Sequence, residues 1–383
     1  MTAFIESFAS QQLLPPWNAI GAHHWGFVIR LERERVKAYL DTYFNGRYPD
    51  RAPYLYVPMD GPQFGLLGID DYPNITSENE RAANLGEGKG GDSDRLAHRQ
   101  TYLALPVLRY ALSENNLITE PTIVWVEPIV FSNNDSVVFS SREIWGSDMF
   151  LAQMCRSIGG APHHLHFDMG LIGVKHFNAR SLSEMLAVMH VKTGDVSAST
   201  IPELVKENPE IASFLQVLGG SASFADDVLA DPGPGPVMGS RELNNLKQFR
   251  DCYDISAAIY RAIVASKASH TEVANIVVYD ARQIEIAFMW SDCMVDLLTN
   301  LLNADRPNES GPPADHAPPV TPPVPLGRRQ LLPGQFHYLG VTPHDMDWNM
   351  DRLVVPAEFA FSYSSNVRFE VLQTLHTYGL NEV

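Results

Sequence analysis

The 383-residue sequence contains only three cysteines, Cys155, Cys252 and Cys293, and no CxxC pair. Three widely spaced cysteines argue against a disulfide framework and fit a reducing compartment, and without a CxxC pair no zinc ribbon is indicated. The longest apolar runs, such as 123–126, are far shorter than the ~20 residues of a membrane span. The N-terminal segment lacks the basic stretch and apolar run of a secretory signal. These absences predict a cytoplasmic protein that has no membrane partner.

Basic residues are also scarce. Lys and Arg together number 28 against 45 Asp and Glu, which gives a formal net charge of -17. A protein that binds nucleic acid needs a basic surface, so this composition predicts no nucleic-acid partner. The run GEGKGG at 86–91 lacks the GK[ST] ending of a phosphate loop, and no GxSxG nucleophile elbow occurs.

The composition that remains is that of a globular protein, with 45% apolar and 19% charged residues. A chain of this length exceeds the usual size of one hydrophobic core, roughly 250–300 residues. Residues 304–334 are rich in proline and lack helical periodicity, which predicts an extended connector. We therefore divide the chain into one domain over 1–303, the connector over 304–334, and strands over 335–383 that rejoin the same domain.

Hydrophobic periodicity predicts both helices and strands. We expect helices over 30–45, 181–191, 202–220 and 255–269, and strands over 54–59, 64–69, 99–110, 122–131, 136–145, 163–177 and 353–375. Short polar stretches separate the central strands, so an antiparallel meander is favoured. The alternation of strand and helix that builds a parallel sheet is weak. The predicted fold class is therefore α+β.

One run of residues resembles a known family. Residues 126–150 (VEPIVFSNNDSVVFSSREIWGSDMF) resemble the central segment of the acetoacetate decarboxylase family, where two strands lead into a Gly-Arg-Glu-hydrophobe-aromatic-Gly signature. Arg142 to Gly146 (REIWG) match that signature, and weaker matches lie at 15–17, 35–45, 99–107 and 246–264. The resemblance implies a curved, mainly antiparallel sheet or barrel around a cavity with peripheral helices. It also implies a homo-oligomer.

Two departures from the family pattern change the chemistry that the resemblance implies. In the family, a lysine after the signature forms a Schiff base with a β-keto acid, but Met149 occupies that position here. A thioether cannot form an imine. The family also has a glutamate six residues before the Pro that Pro106 matches, and here that position is Gln100. An amide can orient a substrate but cannot transfer a proton. Lys175 and, less favourably, Lys247 are candidates for a relocated Schiff-base lysine.

Asp148 is the most interesting acid near the lost lysine. If it lies in an apolar cavity beside Trp145, Met149 and Phe150, its pKa rises and it can act as a general acid or base near neutral pH. The alternative interpretation is that Ser147 or Asp148 caps a helix beginning at 149. Both roles are compatible.

The neighbouring signature residues suggest ligand contacts. Either Arg142 or Glu143 points into the cavity, and an inward Arg142 would bind a substrate carboxylate. An ion pair within the protein is an equally good interpretation. Arg30 is another candidate for binding an anion.

A histidine cluster, PHHLHFD at 162–168, allows a different chemistry. On a strand, His164, His166 and Asp168 point to the same face, and two histidines with one carboxylate can bind zinc or iron(II). The alternatives are a polar strand without metal, or a neutral His166 that acts as an acid or base in the cavity.

These residues predict a divergent enzyme that uses no Schiff base and no cofactor, with a divalent metal as the alternative. It would act on a keto- or polyketide-like acid as a lyase, cyclase or dehydratase of secondary metabolism. The predicted catalytic residues are Gln100, Glu143, Asp148 and His166, and the predicted substrate contacts are Arg30, Arg142, Trp145, Met149 and Phe150. The other candidates are an inactive binding protein for a small-molecule acid and a metal enzyme built on His164, His166 and Asp168.

Overall fold

The computed structural model describes the residues 14–45, 53–78, 96–112, 120–158, 164–173, 184–195, 206, 209–219, 240–250, 258–289, 301–302 and 352–377. The predicted connector at 304–334 lies outside the described residues, as does Lys175. Within the described part of the chain, no helix has the length and apolar content that crossing a bilayer requires.

Strands dominate the described residues. The strands are β1 (Trp17–Leu31), β2 (Tyr54–Pro58), β3 (Gln63–Ser77), β4 (Leu96–Ala111), β5 (Thr122–Ser132), β6 (Met149–Leu151), β7 (Gln153–Ile158), β8 (Leu165–Gly173), β9 (Glu184–Lys192), β10 (Arg241–Arg250), β11 (Ala258–Tyr279), β12 (Glu285–Met289), β13 (Arg352–Val355) and β14 (Ala357–Thr377). The α-helices are α1 (Arg33–Leu40), α2 (Asp135–Ser140) and α3 (Pro209–Gly219). Single π-helical turns follow α1 and α2 at Asp41–Asn45 and Ser141–Trp145, and a 3-10 turn covers Ala281–Gln283.

The larger sheet closes on itself. Its strand order is β2-β4-β3-β1-β14-β11-β10-β5-β6, and β4 also pairs with β5. Seven strands from β4 round to β5 therefore form a ring, with β2 and β6 added at its edges. Neighbours in the ring are antiparallel except β5 and β10, which meet in parallel at Leu243 and Trp125. This curved, mainly antiparallel sheet confirms the predicted fold class.

The smaller sheet packs on the outside of the ring. It is antiparallel, in the order β13-β12-β9-β8-β7. Alternate residues of β1, such as Phe27 and Ile29, share one buried cluster with Phe167 and Met169 of β8 and Val191 of β9. Because side chains alternate along a strand, one face of β1 joins this outer core and the other faces into the ring.

Two apolar clusters fill the ring from its ends. At one end, Phe214 of α3 packs edge-on against Phe64 and Trp125, with ring centroids 5.7 and 5.9 Å apart. At the other end, Trp17 meets Trp145 with centroids 4.9 Å apart. The space between the two clusters is where polar side chains collect.

Several predicted elements agree with the structure. The helix over 30–45 is α1 with its π turn, the helix over 202–220 contains α3, and the strands over 54–59, 64–69, 99–110 and 122–131 are present. The strand predicted over 353–375 is β13 and β14, and β14 does pair with β1 inside the ring.

The strand prediction for 136–145 is wrong, because these residues form α2 and the π turn after it. The Asn134 side chain accepts a hydrogen bond from the backbone N–H of Val137 and so caps α2. This local bond offsets the β propensity of the valines that follow. The predicted helix cap at Ser147 or Asp148 is also wrong, since Met149 to Leu151 form a strand parallel to β5.

The helix predictions for 181–191 and 255–269 are wrong as well. These segments form β9 and β11, and each of these strands pairs with a neighbouring strand along both of its edges. Consecutive residues of β11, Ala262 to Ala265, are all buried. A strand covered on both faces gives a continuous apolar run, and such a run does not differ in pattern from a buried helix.

Gly146, the last residue of the REIWG run, provides a test of this packing. Its φ is 72°, in the left-handed region, and an added Cβ would lie 2.8 Å from the Lys247 Cβ on β10. Gly21 has a similar φ of 66° but open space around it. We expect Gly21→Ala to cost roughly 1–2 kcal/mol from backbone strain alone, and Gly146→Ala to cost clearly more because β10 must also move. Urea unfolding of both variants measures the difference, and equal destabilisation would contradict the packing described for Gly146.

Candidate active site

A cavity lined by both polar and apolar side chains lies inside the ring, between the two apolar clusters. Its volume is about 60 Å³, and its polar lining includes Asp70, His98, Gln100, Glu127 and Arg241. Since one water molecule needs roughly 10–15 Å³, the space holds about four waters or a small organic molecule of similar size.

Strand register explains why several of these side chains meet. Gln100 on β4 lies opposite Asp70 on β3, Asp70 lies opposite His24 on β1, and His24 lies opposite Tyr363 on β14. Residues directly opposite each other on paired strands share a face of the sheet. A row of polar side chains therefore crosses four strands on the inner wall of the ring.

The centre of this row is a buried pair of Asp70 and His24. The His24 Nδ1 and Asp70 Oδ1 atoms are 2.9 Å apart, and the Tyr72 hydroxyl donates to Asp70 Oδ2 at 2.7 Å. Both members of the pair are 2% exposed. Burial on its own would raise the pKa of Asp70, but the attraction and hydrogen bond of His24, with the bond from Tyr72, hold that pKa below its usual range. Asp70 is therefore a carboxylate at neutral pH.

The network continues to the opposite wall. His24 Nε2 lies 2.9 Å from the Ser365 hydroxyl, and that hydroxyl lies 3.1 Å from His270 Nδ1. The Ser365, His24 and Asp70 distances match a Ser-His-Asp triad, but Ser365 is only 3% exposed and its hydroxyl is closed to a substrate. Burial, with His24 and Arg241 nearby, lowers the pKa of His270 well below its usual value, so His270 is neutral. This hydrogen-bond network therefore positions its side chains and stabilises the Asp70 charge, and Ser365 does not act as a nucleophile.

Arg241, at the start of β10, is the buried cation of the cavity. It is 6% exposed, its guanidinium lies over the Trp125 ring at 5.5 Å, and its Nη2 is 3.4 Å from His270 Nε2. Tyr102 also interacts with the guanidinium, whereas the buried Nε and Nη1 atoms have no partner of good hydrogen-bond geometry among the described residues. A buried donor without a partner is costly, and more so when it carries charge. An anionic ligand in the cavity would satisfy these donors.

Other cavity residues share this property. Buried polar atoms without a partner among the described residues also include Trp145 Nε1, Ser147 Oγ, Ser266 Oγ and His98 Nδ1. Several unpartnered polar atoms around one cavity can form hydrogen bonds to a ligand, as expected for a binding site.

Glu127 supplies the titratable acid of the cavity. Burial raises the pKa of Glu127 to about 7, with the nearby Asp70 charge adding to the effect and Arg241 opposing it. Glu127 makes no hydrogen bond to another described residue, so its carboxyl group is available to a ligand. A carboxyl group that exchanges its proton near neutral pH is suited to general acid or base catalysis.

Beside it, His98 and Gln100 form a neutral pair. His98 Nε2 and Gln100 Oε1 are 3.5 Å apart, and burial lowers the pKa of His98 to about 4. His98 is therefore uncharged at neutral pH. The pair can accept and donate hydrogen bonds without adding charge to the cavity.

Three of the predicted site residues line this cavity: Gln100, Trp145 and Met149. Met149, at the position that the family resemblance gives to the Schiff-base lysine, is 4% exposed. The other predicted substrate contact on this strand, Phe150, is 43% exposed and points away.

The remaining predicted residues lie elsewhere. The Asp148 side chain is 63% exposed and lies 3.7 Å from Arg142, which is also exposed, so these two form the surface ion pair that was the alternative for Arg142. Arg30 is exposed and pairs with Glu210 and Glu358 at 2.7 and 3.1 Å. Arg30 lies at the end of β1, and Arg142 and Asp148 lie in the turn and loop that precede β6.

Glu143 and the histidine cluster are also outside the cavity lining. The backbone carbonyl of Glu143 accepts a hydrogen bond from Lys247. His164 lies 3.2 Å from Asp195. His166 lies on the smaller sheet, 3.3 Å from Asp168, and does not line the cavity.

Asp70, Glu127 and Arg241 are site residues that the sequence patterns do not predict. Each carried a weak signal. Asp70 follows the apolar strand FGLLGI directly, and Glu127 interrupts the apolar run of β5. Arg241, Leu243 and Asn245 alternate along β10, which is the period of a strand that presents one face to a cavity.

The raised pKa of Glu127 predicts an effect on stability. A carboxyl group whose pKa is higher in the folded than in the unfolded protein lowers stability above the unfolded value of 4.5, and most fully above about pH 7. We expect Glu127→Gln to stabilise the fold by on the order of 1–3 kcal/mol at pH 8 and to leave stability nearly unchanged at pH 4.5. Chemical unfolding at both pH values measures this. A Glu143→Gln variant outside the cavity serves as the control, and a pH-independent effect at Glu127 would contradict its placement.

Comparison with known proteins gives structural matches only. No family model matches the sequence, and no curated protein matches it. The structure is similar to the crystal structure of acetoacetate decarboxylase from Legionella pneumophila subsp. pneumophila str. Philadelphia 1, with a TM-score of 0.41 and 9% identity over 94% of this chain and 88% of that chain. It is also similar to an acetoacetate decarboxylase-like enzyme from Sphingomonas wittichii RW1, with a TM-score of 0.45 and 9% identity over 97% of this chain and 99% of that chain.

A third structure, from structural studies of acetoacetate decarboxylase, has a TM-score of 0.41 and 10% identity over 94% of this chain and 91% of that chain. Each of the three comparisons spans nearly the whole of this chain.

Proposed function

We propose that the protein is an acetoacetate decarboxylase-like enzyme that acts on a small keto acid by acid–base chemistry, without a Schiff base. One observation carries the proposal. Buried Arg241 has two nitrogens, Nε and Nη1, without a well-placed partner among the described residues, and it lines the same cavity as a Glu127 carboxyl group whose pKa is about 7. Arg241 binds a carboxylate of the substrate, and Glu127 exchanges a proton at neutral pH.

The cavity selects its substrate by charge and size. The carboxylate of the substrate accepts hydrogen bonds from Arg241, which is the strong, charge-assisted kind. Trp145 Nε1 and the Ser147 and Ser266 hydroxyls offer further donors to a keto oxygen. A volume of about 60 Å³ favours an acid of a few carbon atoms over an extended polyketide-like chain.

Glu127, as a carboxylate, would take the proton from the carbon next to the keto group. The electron pair of that C–H bond moves onto the keto oxygen, which becomes an enolate. Neutral donors held in place around the keto oxygen stabilise such developing charge without reorganisation. Return of the proton at another carbon or at oxygen completes an isomerisation. In a substrate with a hydroxyl group on the adjoining carbon, the enolate electrons instead re-form the keto group and make a C=C bond as the C–O bond breaks, and protonated Glu127 gives its proton to the leaving hydroxide, which departs as water. Both are within the lyase or isomerase type that the resemblance and the missing lysine indicate.

Kinetic analysis of two variants tests this assignment. On a panel of 2-keto and 3-keto acids of three to six carbons, we expect Glu127→Gln to lower kcat by roughly 10²–10⁴-fold, because it removes the general base. Arg241→Met should raise KM by at least about tenfold, because a charge-assisted bond is lost. In the wild type, kcat/KM should rise with pH through about 7 as Glu127 loses its proton, and Glu127→Gln should lack this inflection.

Asp148→Asn and Arg30→Met are the matched controls, since both side chains are exposed and outside the cavity. Both should keep wild-type kinetics. Full activity in Glu127→Gln would overturn the assignment. Saturable binding of keto acids, lost in Arg241→Met but without turnover in any form, would favour the inactive binding protein instead.

The absence of a Schiff base has its own test. Met149 lines the cavity, and the Lys247 amine donates to the Glu143 carbonyl and lies 5.4 and 5.6 Å from the Phe249 and Tyr260 rings. We therefore expect no covalent adduct when the protein is treated with borohydride in the presence of a turned-over keto acid. Burial does lower the pKa of Lys247, so mass spectrometry of wild type and Lys247→Met should be compared. A reduced adduct that disappears in Lys247→Met would show a relocated Schiff base and contradict the proposal.

Three expectations stay predictions: the cytoplasmic location, the homo-oligomer, and the division of the chain around the connector at 304–334.

A further inference from the structure

We infer that His166, Asp168 and His190 form a zinc site on the smaller sheet, separate from the cavity. This inference does not depend on the proposed function. It also differs from the ligand set suggested by the sequence, because His190 from a neighbouring strand takes the place of His164.

The two strands bring these residues together by register. His166 and Asp168 are two residues apart on β8 and so share a face, and Asp168 lies directly opposite His190 on β9. The intervening residues Phe167 and Met169 are in the core between the smaller sheet and the ring. The three polar side chains therefore occupy the face of the sheet that points away from that core.

Their donor atoms already lie close together. Asp168 Oδ1 is 2.6 Å from His190 Nδ1, and Asp168 Oδ2 is 3.3 Å from His166 Nε2. One donor atom from each residue lies within 4.8 Å of the other two. Donors that share a tetrahedral zinc at 2.0–2.2 Å are roughly 3.3–3.6 Å apart, so small side-chain rotations complete the geometry.

Burial and donor chemistry favour zinc. The Asp168 side chain is 2% exposed, and a carboxylate in that position needs compensating positive charge. Two imidazoles and one carboxylate are a zinc-binding combination that leaves a fourth position for water. The His166 side chain, at 34% exposure, keeps one side of the site open to solvent.

The experiment is a zinc titration of the full-length protein. After removal of metals with a chelator, calorimetry with zinc chloride should show one zinc per chain, and cobalt(II) should give the visible absorption of a tetrahedral site. His166→Ala, His190→Ala and the isosteric Asp168→Asn should each weaken zinc binding at least about tenfold. His164→Ala is the matched control, because its ring lies 3.2 Å from Asp195 rather than in the site, and it should bind zinc like the wild type.

A second readout guards against misfolded variants. Zinc should raise the Tm of the wild type and of His164→Ala, but not of His166→Ala, whose partly exposed position makes it the variant that tolerates truncation best. The inference is overturned if the wild type takes up no zinc. It is equally overturned if folded His166→Ala and Asp168→Asn bind zinc as tightly as the wild type.

Discussion

A positive charge enclosed by a sheet is the constraint on which the rest of this molecule depends. Arg241 sits inside the ring at 6% exposure, and no direct ion pair joins it to Asp70. An enclosed cation is tolerated only where other groups offset its loss of water. Asp70 supplies the opposite charge at longer range, and it can do so only because His24 and Tyr72 keep it ionised. The row of polar side chains from β4 to β14 therefore stabilises the buried charge of Arg241.

The same arrangement sets the protonation of the surrounding groups. His270 bonds to Arg241 and stays neutral because burial lowers its pKa, with His24 and the guanidinium adding to the effect. His98 is neutral because it is buried. Burial is the largest influence on the pKa of Glu127 and raises it to about 7. The charge of Arg241 lowers this pKa and the charge of Asp70 raises it, so the two effects oppose each other. One cation, one fixed anion and one exchangeable proton give the cavity both an anion site and an acid–base group.

The fold was more accessible from sequence than the site, for a physical reason. Amphipathic elements such as α1 and the half-buried strands β3 and β4 show a clear period, and they were predicted. The central strands β9 and β11 are buried on both faces, so their period is lost, and they resembled helices. The helix α2 forms because the Asn134 cap stabilises its first turn more than the β propensity of its two valines disfavours it.

The site was harder to predict because it is built from cross-strand neighbours. Asp70, His24 and Gln100 are far apart in the chain and become adjacent only through strand register. Gln100, Trp145 and Met149 were found because they lie in or near the matched motifs. Asp148 and Arg142 lie in the same motif but face outward, since sequence alone does not fix which residues of a short strand or loop face inward.

The uncharged side chain of Met149 affects the pKa of Glu127. Both line the cavity that holds Arg241. A lysine ammonium at position 149 would add a second positive charge to that cavity, and a nearby cation lowers the pKa of a carboxyl group. Glu127 would then lie closer to its ordinary pKa and would be a weaker base. With methionine at this position, Arg241 is the cation left in the cavity to attract a carboxylate, and Glu127 keeps a pKa near the pH at which proton transfer is most effective. An uncharged side chain at position 149 is therefore compatible with both the anion site at Arg241 and the near-neutral pKa of Glu127.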